Sequence, residues 1–413
     1  MSGSRGRAAD RYLLLGATLF LTLFGLVMIY SASSAADIVG QHDAAYHMKK
    51  QLLYLVLGYV ALVGFSWIDY RKLRRAGWPL WGASLLGLAA VHFVGVGKWG
   101  AQRWLIIGPV PVQPSEYAKL GTLLVVASLL ADWKRRRLDG KELLIRLVVA
   151  VVPIVLFVML QPDMGTTVAI VIGVYLLLWM ARVSWVYLGE MAAVGSGLAV
   201  AAVAAASYRL QRFLAFLHPW RDPLGSGYQI IQSTLAFGSG GLLGVGLGMS
   251  RQKFFYLPAA HTDFIFAIIG EELGLIGTLA VVLAFAVFAY AGLRIAMSAS
   301  DHYGRLLAGG LTAIVTTQAV INMASVTGLM PITGIPLPLV SYGGSSLTLI
   351  MACIGMIVSV QRHGGQLSRA KRGGGKPKPE EELEGAFPFE RRGHGRPRLS
   401  SVDGGRGAAR RRA

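Results

Sequence analysis

Residues 13–30 read LLLGATLFLTLFGLVMIY, an apolar run that contains no charged side chain. A helix of about 20 apolar residues is long enough to cross the hydrocarbon core of a bilayer. Over the whole chain, 54% of the 413 residues are hydrophobic and only 15% are charged, whereas soluble domains carry about 25% charged residues. The sequence therefore predicts an integral membrane protein and argues against an ordinary soluble enzyme.

Similar apolar windows recur on the carboxyl-terminal side of this run, and they predict about ten transmembrane helices. The predicted spans are 13–30, 51–68, 78–96, 115–133, 143–161, 165–182, 186–206, 264–293, 306–327 and 346–361. The expected fold class is an all-α integral membrane protein with a large extracytoplasmic loop between helices 7 and 8. No cleavable signal peptide is evident, so the first span is expected to remain in the protein.

The charge balance predicts the orientation of these spans. The chain has 40 Lys and Arg against 21 Asp and Glu, a net charge of +19, which in a soluble protein would suggest a nucleic-acid partner. In a membrane protein, basic residues instead gather in short cytoplasmic loops. Alternating spans place the amino terminus, the basic segments 71–75 and 134–137 and the basic tail on one side. We therefore expect both termini to be cytoplasmic, and no nucleic-acid partner.

The segments expected on the outer side are unusual for loops. They are 31–50, 97–114, 162–164, 207–262 and 328–345. The segment 207–262 is long and rich in Gly, aromatic residues and Arg, and long ordered loops tend to be functional. The segment 328–345 is too apolar for water and too rich in Pro and Gly for a straight helix. We expect it to re-enter the membrane or to pack over a cavity.

The composition divides the chain into three parts. Residues 1–12 form a short cytoplasmic amino terminus, and residues 13–361 form the membrane domain. Residues 362–413 are rich in Lys, Arg, Gly, Pro and Glu with few apolar residues. Such a segment cannot bury enough surface to fold, so we expect a disordered cytoplasmic tail. The single Cys353 excludes an intrachain disulfide.

One carboxylate is the leading candidate for chemistry. The sequence has no zinc-type Cys/His cluster, no Walker loop and no Ser-His-Asp signature, but Asp263 lies in a His-Thr-Asp-Phe run at the start of a long apolar helix. It could cap that helix, since free N–H groups and the helix dipole favour an acid there. It could instead be a general base whose pKa is raised by partial desolvation. Position alone leaves both open.

Other polar residues also allow two interpretations. Glu116 and Lys119 are i,i+3 neighbours, which fits an interfacial ion pair or a cation that meets a lipid phosphate. Asp163 fits a helix cap or a polar contact. Glu271 and Glu272 lie deeper in the helix that begins near Asp263, and Glu271 lies about 12 Å from Asp263 along the axis. We expect both glutamates to be structural, facing polar partners between helices.

The basic residues of the long outer segment could attract anionic headgroups, or they could bind a pyrophosphate through bidentate arginine contacts. They are Arg209, Arg212, Arg221, Arg251 and Lys253. The residues alone therefore describe a helical bundle with a polar, basic cavity that opens outward. They do not separate an enzyme on lipid-linked substrates from a transporter or a scaffold.

The polar positions belong to long and specific motifs. They are RWL at 103–105, QPSE at 113–116, QPDMGTT at 161–167, GSGYQ at 225–229, GVGLGMSRQK at 244–253, HTDFIFA at 261–267, GEELG at 270–274, TGLMP at 327–331, PLP at 336–338 and SYGGSS at 341–346. In these motifs the chain resembles the SEDS family of bacterial envelope proteins, over about residues 13–361, and within that family it is most similar to the members that act in cell division.

This resemblance implies a peptidoglycan glycosyltransferase that polymerises lipid II outside the bacterial cytoplasmic membrane, at the septum, and releases undecaprenyl pyrophosphate. It implies that Asp263 is the general base. It implies no organic cofactor, and it leaves room for a divalent cation, Mg²⁺ or Mn²⁺. The substrate-binding residues that it implies are Arg103, Trp104, Lys119, Gln161, Asp163, Arg212, Arg251, Lys253, His261 and Ser341.

The resemblance also implies partners: a class B penicillin-binding protein transpeptidase, other divisome membrane proteins and membrane lipids. Three positions depart from the family pattern, with Ala259 where a Glu is usual, His218 where an Asp is common and Pro111 where some members have a basic residue. The alternatives are a lipid II flippase and a non-catalytic divisome scaffold. A flippase is often built from inverted repeats, and no such repeat is evident.

Overall fold

The structure is a computed structural model that describes residues 2–98, 101–108 and 110–373. Most of this part of the chain is helical. The helices are α1 (Ser2–Gln41), α2 (Tyr46–Trp67), α3 (Tyr70–Val94), α4 (Pro114–Lys134), α5 (Gly140–Leu160), α6 (Met164–Met180), α7 (Trp185–Ala204), α8 (Ser207–Leu217), α9 (Tyr228–Gly240), α10 (Ile265–Met297), α11 (His302–Val326) and α12 (Gly344–Gly373).

The helices confirm a polytopic membrane fold. Within the described residues, eight helices are long and apolar enough to cross a membrane, namely α1, α2, α3, α5, α7, α10, α11 and α12. The two other predicted spans, 115–133 and 165–182, coincide with α4 and α6. Helix α4 is almost entirely buried but contains Glu116 and Lys119, and α6 is a shorter apolar helix. Every predicted span therefore coincides with a helix.

The all-α prediction misses a small sheet. The segment 97–114, expected to be an outer loop, forms the strands β1 (Val96–Lys98), β2 (Ala101–Ile107) and β3 (Val110–Val112). They pair antiparallel in the order β1-β2-β3, with Leu105 opposite Val112. Valine and isoleucine favour strands, and Gly108 adopts a positive φ of 61° after β2, which suits a tight hairpin. Strand β2 carries Arg103 and Trp104.

The predicted outer loop 207–262 is also more ordered than a loop. It contains α8 and α9, and its residues 241–246 pair with the backbone of α10. Helix α10 is broken at Gly274, where φ is 63° and ψ is −157°. There the amides of Leu275 and Ile276 donate to the carbonyls of Gly241 and Leu242 at 3.0 and 3.3 Å. The amides of Val245 and Gly246 donate in return to the carbonyls of Glu271 and Glu272, both at 3.0 Å.

This backbone exchange requires glycine at the kink of α10. A Cβ on Gly274 would lie 2.5 Å from the Gly244 nitrogen, and a positive φ is costly for any residue with a side chain. Because the exchange supplies partners to backbone groups freed by the kink, segment 241–246 is fixed against α10.

The segment 328–345 is irregular between α11 and α12, as its prolines and glycines predict. Its residues Ile335, Leu337, Leu339 and Val340 are buried. A Cβ on Gly25 of α1 would lie 2.7 Å from the Val340 Cα, so the two backbones are in direct contact. This segment therefore packs inside the protein rather than in water.

The chain ends differ from the predicted boundaries. Helix α1 begins at Ser2, inside the predicted amino-terminal segment 1–12, and α12 continues to Gly373, past the predicted start of the tail at residue 362. The residues at 366–372, QLSRAKR, include good helix formers, which accounts for the extension. The rest of the predicted disordered tail, 374–413, lies outside the described residues.

Candidate functional site

Two adjoining cavities lie at the end of the bundle where α10 begins. The larger has a volume of about 610 Å³ and is lined by Asp263, His261, Trp104 and Gly334 among others. The smaller has a volume of about 460 Å³. Both are lined by Arg103, Arg212, Gln229 and Ile332, so these four side chains form a shared wall. We call the two volumes together the two-part cavity.

Asp263 lies at the wall of this cavity rather than at a helix cap. Helix α10 begins at Ile265 with Phe264 in the N-cap position, and no side chain caps it. The backbone carbonyl of Asp263 accepts a hydrogen bond from Asn322 Nδ2 at 2.7 Å, and the same amide group donates to the Ile335 carbonyl at 2.8 Å. Asn322 thus fixes the backbone of Asp263 while leaving its carboxylate to line the cavity.

The surroundings of Asp263 adjust its acidity. Burial raises the pKa of Asp263 to about 6, while the charges of Arg103 and Arg212 favour the carboxylate and limit the rise, and Asp163 adds to it. A carboxylate whose pKa lies near neutrality can take a proton and release it again at physiological pH. The cavity therefore contains a carboxylate that can act as a base at physiological pH, together with the cationic side chains of Arg103 and Arg212.

This pKa sets the expected pH dependence of any reaction that uses Asp263 as a base. The carboxylate is ionised above a pH of about 6 and protonated below it. The rate should therefore rise about tenfold per pH unit below 6 and level off above 7, as expected for one essential base. The measurement is kcat/KM from pH 4.5 to 8. A kcat/KM that did not change with pH across this range would contradict the role of Asp263 as the base.

Arg103 is held rigidly at the shared wall. Its Nε donates to the Gln161 carbonyl at 3.3 Å, and its Nη2 donates to the Pro162 carbonyl. The Gln161 side chain is buried and donates to the Leu88 carbonyl at 2.9 Å. Gln161, predicted to bind substrate, therefore uses its side chain to fix the turn that holds Arg103.

Asp163 is buried next to the site and stabilises the start of α6. Its carboxylate accepts hydrogen bonds from the Thr166 amide at 3.1 Å and the Thr166 hydroxyl at 2.8 Å, and its side chain is buried. Of the two interpretations left open by the sequence, the structure shows the helix cap, at the start of α6. Its charge still acts on Asp263.

His261 and Ser341 frame the backbone of the His-Thr-Asp run. The His261 ring lines the larger cavity and lies 4.6 Å from the His47 ring and 5.8 Å from the Tyr342 ring, between centroids. Ser341 Oγ donates to the Thr262 carbonyl at 2.6 Å and accepts from the Leu337 amide at 2.8 Å. Ser341 is buried and holds the run in place, whereas His261 faces the cavity.

Three of the predicted substrate-binding residues lie elsewhere. Lys119 is buried and its Nζ lies 2.7 Å from Glu116 Oε1, so this ion pair is internal rather than interfacial. Arg251 is exposed and lines neither part of the cavity. Lys253 is buried, with its Nζ donating to the Gly248 carbonyl at 2.6 Å and lying 3.5 Å from Glu272 Oε1.

Glu271 and Glu272 face polar partners inside the protein, as predicted. Glu271 accepts from the Ser250 hydroxyl and from the Arg251 amide at 2.9 Å. Glu272 accepts from the Ser31 hydroxyl of α1 at 2.7 Å. The two carboxylates thus hold segment 250–253 and α1 together.

Sequence reasoning missed Gln229 at the shared wall and Asn322 behind Asp263. Gln229 lies within the GSGYQ motif, which marked the region without marking the side chain. Asn322 lies near the carboxyl-terminal end of an apolar span, and its one signal was a polar amide in a buried helix. Such a residue usually serves neighbouring backbone groups, and Asn322 does so here.

The fold and the site together define a multi-pass membrane protein with a carboxylate and two arginines in a cavity at one end of its bundle. Residues 11–366 match the family described as "Cell cycle protein", FtsW/RodA/SpoVE. The chain belongs to this family, which is the SEDS family indicated by its motifs.

Named relatives and solved structures agree with that membership. The chain is 41% identical over 343 residues, covering 82% of it and 90% of the relative, to the "Probable peptidoglycan glycosyltransferase FtsW" of Trichlorobacter lovleyi. It is 39% identical over 353 residues, covering 84% of it and 95% of the relative, to the stage V sporulation protein E of Bacillus subtilis.

Among solved structures, the rod shape determining protein RodA of Thermus thermophilus superposes with a TM-score of 0.64 at 28% identity, covering 86% of this chain and 97% of that one. A chain from a structure described as "Structural coordination of polymerization and crosslinking by a peptidoglycan synthase complex" gives a TM-score of 0.71 at 31% identity, covering 86% and 98%.

Proposed function

We propose that the protein is an inverting glycosyltransferase that polymerises lipid II into glycan strands at the outer face of the bacterial cytoplasmic membrane during septal cell-wall synthesis. The observation that carries the proposal is Asp263, a carboxylate with a pKa near 6 that shares a cavity wall with Arg103 and Arg212. The names of the FtsW relatives support the same chemistry.

In the proposed reaction, Asp263 takes the proton from the 4-hydroxyl of the acceptor sugar as that oxygen attacks the anomeric carbon of the donor. The new glycosidic bond forms while the bond from the anomeric carbon to the diphosphate oxygen breaks, so an α-linked donor gives a β-linked product. The electron pair leaves on undecaprenyl pyrophosphate. No nucleotide is needed, because the donor diphosphate is the activated group.

Arg103 and Arg212 would stabilise the departing diphosphate. Both line the larger and the smaller parts of the cavity, so a diphosphate at the shared wall can be reached by both guanidinium groups. Arginine suits this task, since it binds phosphate oxygens bidentately and stays charged. Fixed cations placed where negative charge develops contribute much of the rate enhancement in such reactions.

A divalent cation remains a proposal for this site. Within the described residues, no group of three or more His, Cys, Asp and Glu side chains could hold a metal ion. Mg²⁺ is commonly held by one or two carboxylates together with substrate phosphates. Asp263 is the carboxylate that lines the larger cavity, so an ion would have to arrive with the diphosphate. None of the steps proposed above depends on it.

The proposed context follows the same reasoning. Both termini would be cytoplasmic, because the basic segments 71–75 and 134–137 lie at the start of α3 and the end of α4, the ends of these helices away from the strand that carries Arg103, and basic segments favour the cytoplasmic side. The partner would be a class B penicillin-binding protein transpeptidase within the divisome, since a similar structure couples polymerization and crosslinking. That transpeptidase would crosslink the strand as it emerges.

The direct test is polymerisation of purified lipid II by the full-length protein together with its cognate transpeptidase, with glycan strands resolved on a gel. We expect a ladder of strands from the complex. An intact complex that gives no strands, but moves labelled lipid II across vesicle membranes, would contradict the proposal and favour a flippase. An intact complex with neither activity would favour a scaffold.

Loss of one cavity arginine should weaken the reaction strongly. Arg212→Ala removes a charge-assisted contact worth about 1.5–3 kcal/mol, so kcat/KM for lipid II should fall about 10- to 100-fold. The matched control is Arg221→Ala, since Arg221 lies in the same connection between α7 and α10 but lines neither part of the cavity. Equal losses in both variants would show that general charge, rather than the cavity, is what matters.

A further inference from the structure

Residues 242–256, LLGVGLGMSRQKFFY, expose an unusual number of large apolar side chains. Leu243 is 77% exposed and Met249 is 67% exposed, and the others exposed in this segment are Leu242, Val245, Leu247, Phe254, Phe255 and Tyr256. Eight exposed large apolar side chains within fifteen residues of a folded protein indicate a contact with another apolar phase or partner. The proposed chemistry of the two-part cavity does not use it.

Two contacts between α1 and α10 show where this segment lies relative to the membrane. At one end of the bundle, Asp10 of α1 lies 3.5 Å from Arg294 of α10. At the other end, Ser31 of α1 donates to Glu272 of α10. Between Arg11 and Ser31 the helix α1 has no charged residue, and the two contacts lie about 32 Å apart along its axis. This separation matches the hydrocarbon core of a bilayer, about 30 Å.

The segment is held at this boundary by its backbone. The amides of Val245 and Gly246 donate to the carbonyls of Glu271 and Glu272, and the carbonyl of Leu242 accepts from the Ile276 amide. Residues 242–246 therefore lie level with the Ser31–Glu272 contact. They cannot fold back to bury their side chains without breaking these bonds and the kink at Gly274.

The chemistry of the segment fits a lipid surface. It contains no Asp or Glu, and it contains Arg251 and Lys253. Arg251 is exposed, whereas Lys253 is buried by its contact with Glu272. Aromatic residues at a membrane boundary and a basic residue at headgroup level are the features of interfacial anchors, and basic residues are drawn to anionic lipids.

We propose that residues 242–256 insert into the bilayer boundary nearest the two-part cavity, with the leucine and methionine side chains among acyl chains and Arg251 at the lipid phosphates. The cavity-lining residues Pro258 and Ala259 lie two and three residues after the end of this segment. Insertion therefore sets the cavity at the height of lipid headgroups, where a lipid-linked diphosphate lies. That last consequence rests on the proposed function, whereas the insertion does not.

The test measures depth rather than activity, so it can fail independently of the proposed function. In a Cys353→Ala background, Leu243→Cys is labelled with an environment-sensitive fluorophore and the full-length protein is placed in nanodiscs of phosphatidylcholine and phosphatidylglycerol. Quenching is compared for doxyl lipids that carry the quencher near the headgroup or near the chain end. The deep control is Leu283→Cys on the exposed face of α10, and the aqueous control is Gln41→Cys, about 15 Å beyond Ser31 along α1.

We expect the label at position 243 to be quenched most by the shallow quencher, the label at 283 most by the deep one, and the label at 41 by neither. A label at 243 that behaves like the label at 41 overturns the proposal. So does quenching at 243 that disappears when the transpeptidase is added while quenching at 283 remains, because a protein would then occupy the surface.

Discussion

Asp263→Asn should reduce glycan polymerisation by at least about 10²- to 10⁴-fold, the usual contribution of a positioned general base. The substitution keeps the size of the side chain and removes its ability to accept a proton. Because the backbone carbonyl of Asp263, rather than its carboxylate, accepts the bond from Asn322, we expect the fold and partner binding to persist. The measurement is the initial rate of strand formation by the purified complex.

The matched control for this variant is Asp43→Asn. Asp43 is a solvent-exposed carboxylate near the end of α1 and pairs with Lys49 at 2.7 Å, away from the cavity lining. Its substitution should leave the rate unchanged. If the Asp263→Asn protein no longer unfolded cooperatively, or no longer bound the transpeptidase, the carboxylate would have a structural role. If the folded Asp263→Asn protein still polymerised lipid II at the wild-type rate, the Asp263 carboxylate would not be the general base.

The sequence predicted the elements that obey simple periodic rules. Apolar runs such as 13–30 identified the helices, because hydrocarbon forces a long uninterrupted apolar helix wherever the chain crosses it. The position of Asp263 at the start of an apolar span made it a candidate, since a carboxylate there is costly unless it has a task, but position alone did not separate a helix cap from a general base. The RWL motif marked Arg103 as a candidate binding residue, and Arg212 was marked as one of the basic residues of the long outer segment.

The sequence could not predict contacts that depend on where distant segments meet. Gly274 looked like an ordinary glycine in an apolar helix, but its positive φ lets residues 241–246 exchange hydrogen bonds with α10. Lys119 looked interfacial because a lysine in a membrane helix usually reaches towards water. In the structure it pairs with Glu116 inside the bundle, an arrangement that depends on the helices packed around α4.

The buried Glu272, two residues before the kink at Gly274, should contribute strongly to stability. It is fully buried and accepts from both Ser31 and the Ser250 amide, and Lys253 Nζ lies 3.5 Å from it. Glu272→Ala would leave the buried Lys253 ammonium without its carboxylate. Removing one partner of a buried ion pair costs about 3–5 kcal/mol, so the free energy of unfolding in detergent should fall by about that amount.

A second substitution separates two possible causes of this loss of stability, namely an unpaired buried charge and a loss of packing. In the double variant Glu272→Met and Lys253→Met, both charges are absent and no buried ion is left unpaired. Replacing a buried pair by apolar residues of similar volume is often neutral or stabilising, so the double variant should unfold at a higher denaturant concentration than Glu272→Ala. Because Glu272 joins segment 250–253 to α1, a double variant as unstable as the single one would instead place the loss in the hydrogen bonds to Ser31 and Ser250.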